Sequence, residues 1–180
     1  MIKIMKQVSI ISFIATLSFL LLNIILSKSI FTTLAITSGT VFYHFAIRLI
    51  IGYAVDGVFK NRMDYNKGWF KPKAFEEKLY QSLRVKNWKT KMPTAVPESF
   101  DLKNKTPYDV AGAMCQAEIV HEIIILASFL PIVATVWFGA FWVFFITSLL
   151  AALYDMVFVI IQRYNRPRIL RLAEKTRSKK

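Results

Sequence analysis

Four long runs of apolar residues, separated by polar segments of unequal length, dominate the chain. The spans predicted from these runs cover residues 8–26, 30–55, 119–136 and 138–161. About 20 apolar residues in a helix cross a hydrocarbon core of ~30 Å, so each run is suited to a bilayer. The pattern predicts an all-α integral membrane protein, with one membrane domain over residues 1–180 and four transmembrane helices.

The first apolar run, residues 8–26, also fits a cleaved signal peptide. It is long for the apolar region of such a peptide, and no small-x-small cleavage site follows Leu26. These features favour a retained membrane span. Cys115 is the single cysteine, so no internal disulfide and no cysteine-rich metal site is expected, and no cofactor is predicted.

Positive charge is distributed unevenly along the chain. The formal net charge is +13, and 12 of the 24 basic residues lie in the polar loop 57–116. Eight more lie in the tail 163–180, and none lies between Lys105 and Arg163. The positive-inside rule therefore predicts two helical hairpins in a membrane, with the loop and both termini in the cytoplasm. The expected partners are membrane lipids, not nucleic acid.

The loop 57–116 has features of a membrane-surface region. Residues 75–83 predict a short amphipathic helix with Phe75, Leu79, Tyr80 and Leu83 on one face. Lysines alternate with Trp88 and apolar residues over 83–93, and Lys with Trp is typical of interfacial anchors. The loop is therefore predicted to lie against lipid headgroups.

The candidate chemistry lies where the third span begins. Glu118, His121 and Glu122 occur there, and the first two share a helix face because they are three residues apart. The predicted second hairpin brings residues 162–168 beside them. His121 suits a general base, with Glu118 or Glu122 fixing its tautomer. The alternative is a structural polar pair at a helix start, where acidic groups suit the helix dipole.

Other polar groups near the spans are candidates for a cavity that extends the site. Charge within a membrane span is costly and often functional. The candidates are His44, Arg48, Asp56, Glu122 and Asp155. For two of them an alternative stays open, in which Arg48 extends to the cytoplasmic surface and His44 makes a hydrogen bond between helices. Glu118, His121, His44 and Asp155 also fit a metal site in type, but histidines so far apart in sequence do not establish one, and no metal is predicted.

Three ordered motifs resemble the glycosyl-4,4'-diaponeurosporenoate acyltransferases, small bacterial membrane proteins of the staphyloxanthin carotenoid pathway. The motifs are Val-Lys-Asn-Trp-Lys at 85–89 followed by Pro93, Ala-Glu-Ile-Val-His at 117–121, and Gln-Arg-Tyr-Asn-Arg-Pro-Arg at 162–168. The resemblance runs from Leu79 to Leu172, about half of the chain. It implies transfer of a fatty acyl group from an acyl donor to a sugar hydroxyl of a glycosylated carotenoid, a lipid-linked acceptor, at the bacterial cell membrane.

The resemblance also implies residue roles. Glu118 and His121 are the expected catalytic pair. The expected substrate-binding residues are Lys86, Trp88, Lys89, Arg163, Tyr164, Asn165, Arg166 and Arg168. Two positions depart from the family pattern: Gln116 stands where arginine is usual, and Glu122 stands where an aromatic residue often follows the histidine. Both departures bear on the substrate more than on the reaction.

Three functions are therefore compatible with the chain. The first is a membrane-embedded acyltransferase with His121 as general base. The second is a metal-dependent intramembrane hydrolase, and the third is a non-enzymatic lipid-binding scaffold, for which the basic loop and tail alone would suffice. The motif resemblance favours the acyltransferase.

Overall fold

In the computed structural model, residues 1–177 are described, with their side chains described through Lys175. All regular elements in this part are helical. The α-helices are α1 (Ile2–Leu26), α2 (Ser29–Phe59), α3 (Glu76–Ser82), α4 (Val85–Trp88), α5 (Pro107–Ala127), α6 (Thr135–Phe138) and α7 (Phe141–Arg177). Short 3-10 helices are Gly68–Phe70, Lys89–Lys91, Pro97–Phe100 and Leu130–Ala134. Residues 178–180 of the predicted basic tail lie outside the described residues.

Four helical segments are long and apolar enough to cross a membrane: Ile2–Leu26, Ser29–Phe59, Pro107–Phe138 and Phe141–Lys175. Large apolar side chains along them are exposed, among them Ile11, Ile24, Leu126 and Trp142. A water-soluble monomer rarely exposes so much apolar surface. The predicted all-helical fold with four candidate spans is confirmed.

The chain divides into two compact units. The first comprises Met1–Gly52 and Ile124–Leu153, and the second comprises Tyr53–Ile123 and Tyr154–Lys180. In the first unit, α1 and α2 are linked by Ser27 and Lys28 and contact through hydroxyl groups. Thr16 Oγ1 lies 3.0 Å from Ser38 Oγ, an interhelical bond of the kind that small polar residues make in membranes.

A proline ends the regular part of α5 within the first unit. The prediction placed one continuous span over 119–136, whereas α5 ends at Ala127 and a 3-10 helix follows. Pro131 has no N–H to donate to the Ala127 carbonyl four residues earlier. Instead, the Tyr43 hydroxyl donates to this carbonyl oxygen over 2.7 Å. Tyr43 thereby satisfies the acceptor that Pro131 leaves without a helical donor.

Helix α5 begins with a capping box in the second unit. The Thr106 amide donates to Asp109 Oδ2 over 3.3 Å, and the Asp109 amide donates back to Thr106 Oγ1 over 3.2 Å. Pro107, at the first helical position, needs no amide partner there. These local signals start the helix ten residues ahead of the Ala-Glu-Ile-Val-His motif, so the end of the predicted loop is helical.

Helix α7 continues beyond the predicted fourth span. That span was predicted to end at Ile161, with a basic tail after it, but the helix runs to Arg177 through Pro167. The motif at 162–168 is therefore helical, and its side chains alternate between helix faces. Arg163 and Arg166, three residues apart, share one face, whereas Tyr164 and Arg168 share another.

Gly112 in α5 allows a close backbone contact in the second unit. A Cβ atom at this position would lie 3.1 Å from both the Asn61 and Met63 carbonyl oxygens. Both neighbours are backbone atoms, so they have little freedom to move aside. The glycine therefore fixes the turn after α2 against the start of α5.

We expect Gly112→Ala to lower the stability by about 1–3 kcal/mol, because the added methyl group overpacks this contact. Gly57→Ala is the matched control, since a Cβ there meets nothing within 4 Å and alanine favours the helix. Thermal unfolding of the purified proteins in detergent compares the two. Equal melting temperatures would contradict the packing argument.

Candidate functional site

The candidate site lies within the second unit, where one face of α7 carries Asp155, Arg163 and Arg166. Residues 155, 163 and 166 recur at helical spacing, and each makes a side-chain contact with α5. The contacted residues are His121 and Glu118, one turn apart on α5. The two motifs that the sequence singled out therefore meet in space.

The His121 side chain is paired with Asp155. Its Nδ1 atom lies 2.8 Å from Asp155 Oδ1. Asp155 is fully buried, whereas the His121 side chain is 22% exposed. The imidazole also stacks on Phe158, with ring centroids 4.7 Å apart and an interplanar angle of 11°. The ring is thus held by a hydrogen bond at its edge and an aromatic ring at its face.

This pairing determines the chemical role available to the imidazole. An ionised carboxylate only accepts hydrogen bonds, so beside it Nδ1 carries the proton and donates. Nε2 is then the nitrogen with a lone pair. A histidine oriented by a buried carboxylate in this way can take a proton at Nε2, and the carboxylate stabilises the imidazolium that forms.

Glu118 and Glu122, which the sequence offered as partners for His121, contact other residues. Glu118 is fully buried and accepts from Nη1 of Arg163 through Oε1 and from Nη1 of Arg166 through Oε2. Glu122 accepts from the Trp69 indole N–H over 3.0 Å. Asp155, expected as a cavity residue and weighed as a metal ligand, supplies the carboxylate that His121 contacts.

The two arginines also bind the loop before α3. Arg163 Nη2 donates to Glu76 Oε1 over 2.6 Å, and its Nη1 donates to the Trp69 carbonyl over 3.2 Å. Arg166 Nη2 donates to the Phe70 carbonyl over 2.5 Å. We call these two arginines with Glu118 and Glu76 the arginine clamp. Its two positive and two negative charges balance, as a buried ionic network requires.

The clamp explains an unexpected burial in α3. The predicted short helix is confirmed, yet Glu76 is buried while Phe75, Leu79 and Leu83 are exposed. The Tyr80 hydroxyl donates to Glu76 Oε2 over 2.8 Å. Burial, and then the bond to Glu76, raise the pKa of Tyr80 above its ordinary value. Tyr80 therefore stays a neutral donor that orients Glu76.

A second cluster surrounds Tyr164. Lys89 Nζ donates to Asn165 Oδ1 over 2.6 Å and lies 4.8 Å from the centroid of the Tyr164 ring. The Arg168 guanidinium carbon lies 3.5 Å from the same centroid. We call Lys89, Tyr164, Asn165 and Arg168 the Tyr164 cluster. Burial, and then the charge of Arg168, lower the pKa of Lys89.

The remaining substrate-binding candidates lie on α4. Lys86 is exposed, and the Trp88 indole N–H donates to the Leu83 carbonyl over 2.8 Å. The motif at 85–89 therefore contributes Lys89 to the Tyr164 cluster and uses Trp88 to close the turn between α3 and α4.

The predicted cavity residues divide between the two units. In the first unit, His44 is buried with its ring edge-on to Tyr43, and Arg48 Nη2 donates to the Ala151 carbonyl over 3.3 Å. In the second unit, Asp56 Oδ1 accepts from Gln116 Nε2 over 2.9 Å. Gln116, one of the two departures from the family pattern, therefore binds the end of α2.

Sequence reasoning missed Glu76, Trp69 and Phe70. Glu76 precedes another glutamate, and local spacing does not distinguish the buried carboxylate from the exposed one. The backbone carbonyls of 69 and 70 act independently of side-chain type, so no sequence signal marks them. Among the described residues, no group of three or more His, Cys, Asp or Glu side chains is placed to hold a metal ion.

Comparison with known proteins gives one family. The family model described as glycosyl-4,4'-diaponeurosporenoate acyltransferase matches residues 66–175. This match includes the three motifs and also the loop before α3, whose backbone carbonyls bind the arginine clamp. No curated protein and no solved structure matches the chain significantly.

We expect Glu118→Gln to lower the stability by roughly 3 kcal/mol or more, because Arg163 and Arg166 would keep buried charges without this counter-charge. Glu77→Gln makes the same chemical change at an exposed position of α3 and should cost less than about 0.5 kcal/mol. Thermal unfolding in detergent measures both. A loss no larger for Glu118→Gln than for Glu77→Gln would mean that the clamp does not stabilise the unit.

Proposed function

The chain belongs to the glycosyl-4,4'-diaponeurosporenoate acyltransferase family, and from this membership we propose that it moves a fatty acyl group to a hydroxyl of a glycosylated or other lipid-linked acceptor. The proposed location is the cytoplasmic face of a bacterial cell membrane. The observation that carries the proposal is the His121–Asp155 pair, in which a buried carboxylate orients a partly exposed imidazole.

The proposed step is direct transfer from an activated acyl donor, an acyl thioester or ester. His121 Nε2 takes the proton of the acceptor hydroxyl as its oxygen attacks the acyl carbonyl carbon. A new C–O ester bond forms, and the bond between that carbon and the donor's leaving group breaks. The proton then passes from Nε2 to the leaving group. Asp155 stabilises the transient imidazolium throughout.

The other expected catalytic residue, Glu118, receives a positioning role in this proposal. Its two carboxylate oxygens already accept from Arg163 and Arg166, so it supports the site through the clamp. The clamp fixes the loop carrying Trp69, whose indole is bonded to Glu122 beside His121. The exposed Trp69 side chain is therefore available to contact the acceptor near His121.

The membrane arrangement is part of the proposal. Four spans in two hairpins leave the basic loop and both termini on the cytoplasmic side, as the distribution of Lys and Arg favours. The exposed Phe75, Leu79 and Leu83, in and beside α3, are suited to the headgroup region, with lysines around them. A lipid-linked acceptor can then keep its apolar chain in the bilayer while its hydroxyl reaches His121.

We expect His121→Gln to lower acyl transfer by about 10²–10⁴-fold, because the amide offers no basic nitrogen to take the hydroxyl proton. The assay measures acylated product by mass spectrometry, with glycosyl-4,4'-diaponeurosporenoate as acceptor. The variant should still insert and fold, because the glutamine amide N–H can donate to the buried Asp155 in place of the imidazole. Wild-type turnover by a well-folded His121→Gln protein would remove His121 from the mechanism.

We expect Asp155→Asn to reduce kcat by up to about 10⁴-fold with little change in KM, because an amide no longer selects the proton on Nδ1. Asp64→Asn is the control at an exposed turn, where the new amide oxygen can still accept from Asn66. Steady-state kinetics separate the two parameters. A change confined to KM would assign Asp155 to substrate binding and contradict the orienting role.

A further inference from the structure

The Tyr164 cluster places two cations on one aromatic ring. Lys89 lies 4.8 Å and Arg168 3.5 Å from the ring centroid. The Asn165 side-chain oxygen accepts from Lys89 Nζ over 2.6 Å, and the Tyr164 carbonyl accepts from Arg168 Nη1. Both cationic groups are thus held in place by fixed acceptors and by the π face.

These two charges lack the compensation that the neighbouring arginines have. Arg163 and Arg166 are neutralised by Glu76 and Glu118. Among the side chains that the structure describes, no carboxylate lies within ion-pair distance of Lys89 or Arg168. The motif at 162–168 therefore contains two arginines that are paired with carboxylates. On another helix face it carries Arg168, which shares the Tyr164 ring with Lys89.

Two like charges near one ring repel each other, and partial burial of Lys89 adds to the cost. An anion that contacts both cations would remove both penalties. Lys89 and Arg168 retain donors for such an anion, because a guanidinium has five N–H groups and an ammonium three, and the contacts above use few of them. Tetrahedral oxyanions match this combination of a planar fork and a point charge.

We propose that the Tyr164 cluster is a phosphate-binding site. The proposal rests on the acyl-transfer function above and assigns the phosphate group to a substrate or lipid that the enzyme engages. The two sources that fit are the phosphate of a soluble acyl-thioester donor and the phosphodiester of a phospholipid headgroup.

The distance between the Tyr164 cluster and the His121–Asp155 pair determines how long a ligand must be to reach both. Asp155 and Arg168 are 13 positions apart on the continuous helix α7, hence ~20 Å along its axis. A ligand bound at the cluster reaches His121 only through a long flexible part. In a phosphopantetheine-type thioester a flexible arm separates the phosphate from the carbonyl, so this donor can present its carbonyl to the base. In a phospholipid the ester carbonyls lie within a few atoms of the phosphate, so a phospholipid at the cluster would be a bound lipid and not the acyl donor.

The test measures phosphate binding without turnover, using the purified full-length chain in detergent. Coenzyme A is the probe for the soluble source, followed by calorimetry, and phosphatidylglycerol is the probe for the lipid source, followed by native mass spectrometry. The variants are Lys89→Gln and Arg168→Gln. The matched controls are Lys91→Gln and Arg171→Gln, which remove the same charges at exposed positions nearby.

We expect each cluster variant to weaken binding of at least one probe by about tenfold or more, the effect of losing one charge-assisted hydrogen bond. Each control should change that binding by less than about twofold, as for an exposed charge. The probe that shows this dependence identifies the source of the phosphate. Arg168→Lys should lie between wild type and Arg168→Gln, because it keeps the charge and loses the fork.

Equal losses in the cluster and control variants would overturn the proposal, because they would indicate diffuse attraction to the basic surface. Failure of wild type to bind either probe would overturn it as well. The His121→Gln variant separates the two proposals, because the titration measures its probe binding and the acyl-transfer assay measures its turnover. Normal acyl transfer by His121→Gln, with probe binding still dependent on Lys89 and Arg168, would refute the catalytic role and leave the phosphate site standing.

Discussion

The second unit depends on a fully buried carboxylate, Glu118, held between two guanidinium groups. Removing such a charge from water is costly, and only close partners with further hydrogen bonds offset that cost. Arg163 and Arg166 provide them, and their other N–H groups reach Glu76 and the carbonyls of residues 69–71. One burial therefore ties α5, α7 and the loop before α3 into a single polar network.

That network also sets the level at which α5 and α7 face each other. His121 follows Glu118 by one turn, and Asp155 precedes Arg163 by about two turns. With Glu118 fixed against Arg163 and Arg166, the imidazole lies at the level of Asp155 and is covered by Phe158. The structural charge network and the proposed catalytic pair therefore both join α5 to α7.

The motif at 162–168 is dense in charge because it serves two helix faces at once. Arg163 and Arg166 point to acidic partners and are neutralised, whereas Arg168 lies on the Tyr164 ring with Lys89. Pro167 sits between them in the helix without a donor for the Arg163 carbonyl. The arginines that are paired with carboxylates stabilise the fold, whereas the cations without acidic partners are available to bind an anion. Within seven residues, the helix face on which a residue lies therefore determines whether it has a structural or a binding role.

The sequence by itself determined the helical class, the four candidate spans and the family, because apolar run length and contiguous motifs are local properties. It also singled out Glu118 and His121 as neighbours on one face of α5. Only the tertiary structure decided that His121 pairs with Asp155 and that Glu118 pairs with two arginines. Helical periodicity tells which residues share a face, but the level at which a second helix presents its carboxylate depends on packing. The same holds for Glu76, whose burial follows from a guanidinium 87 residues away in the chain.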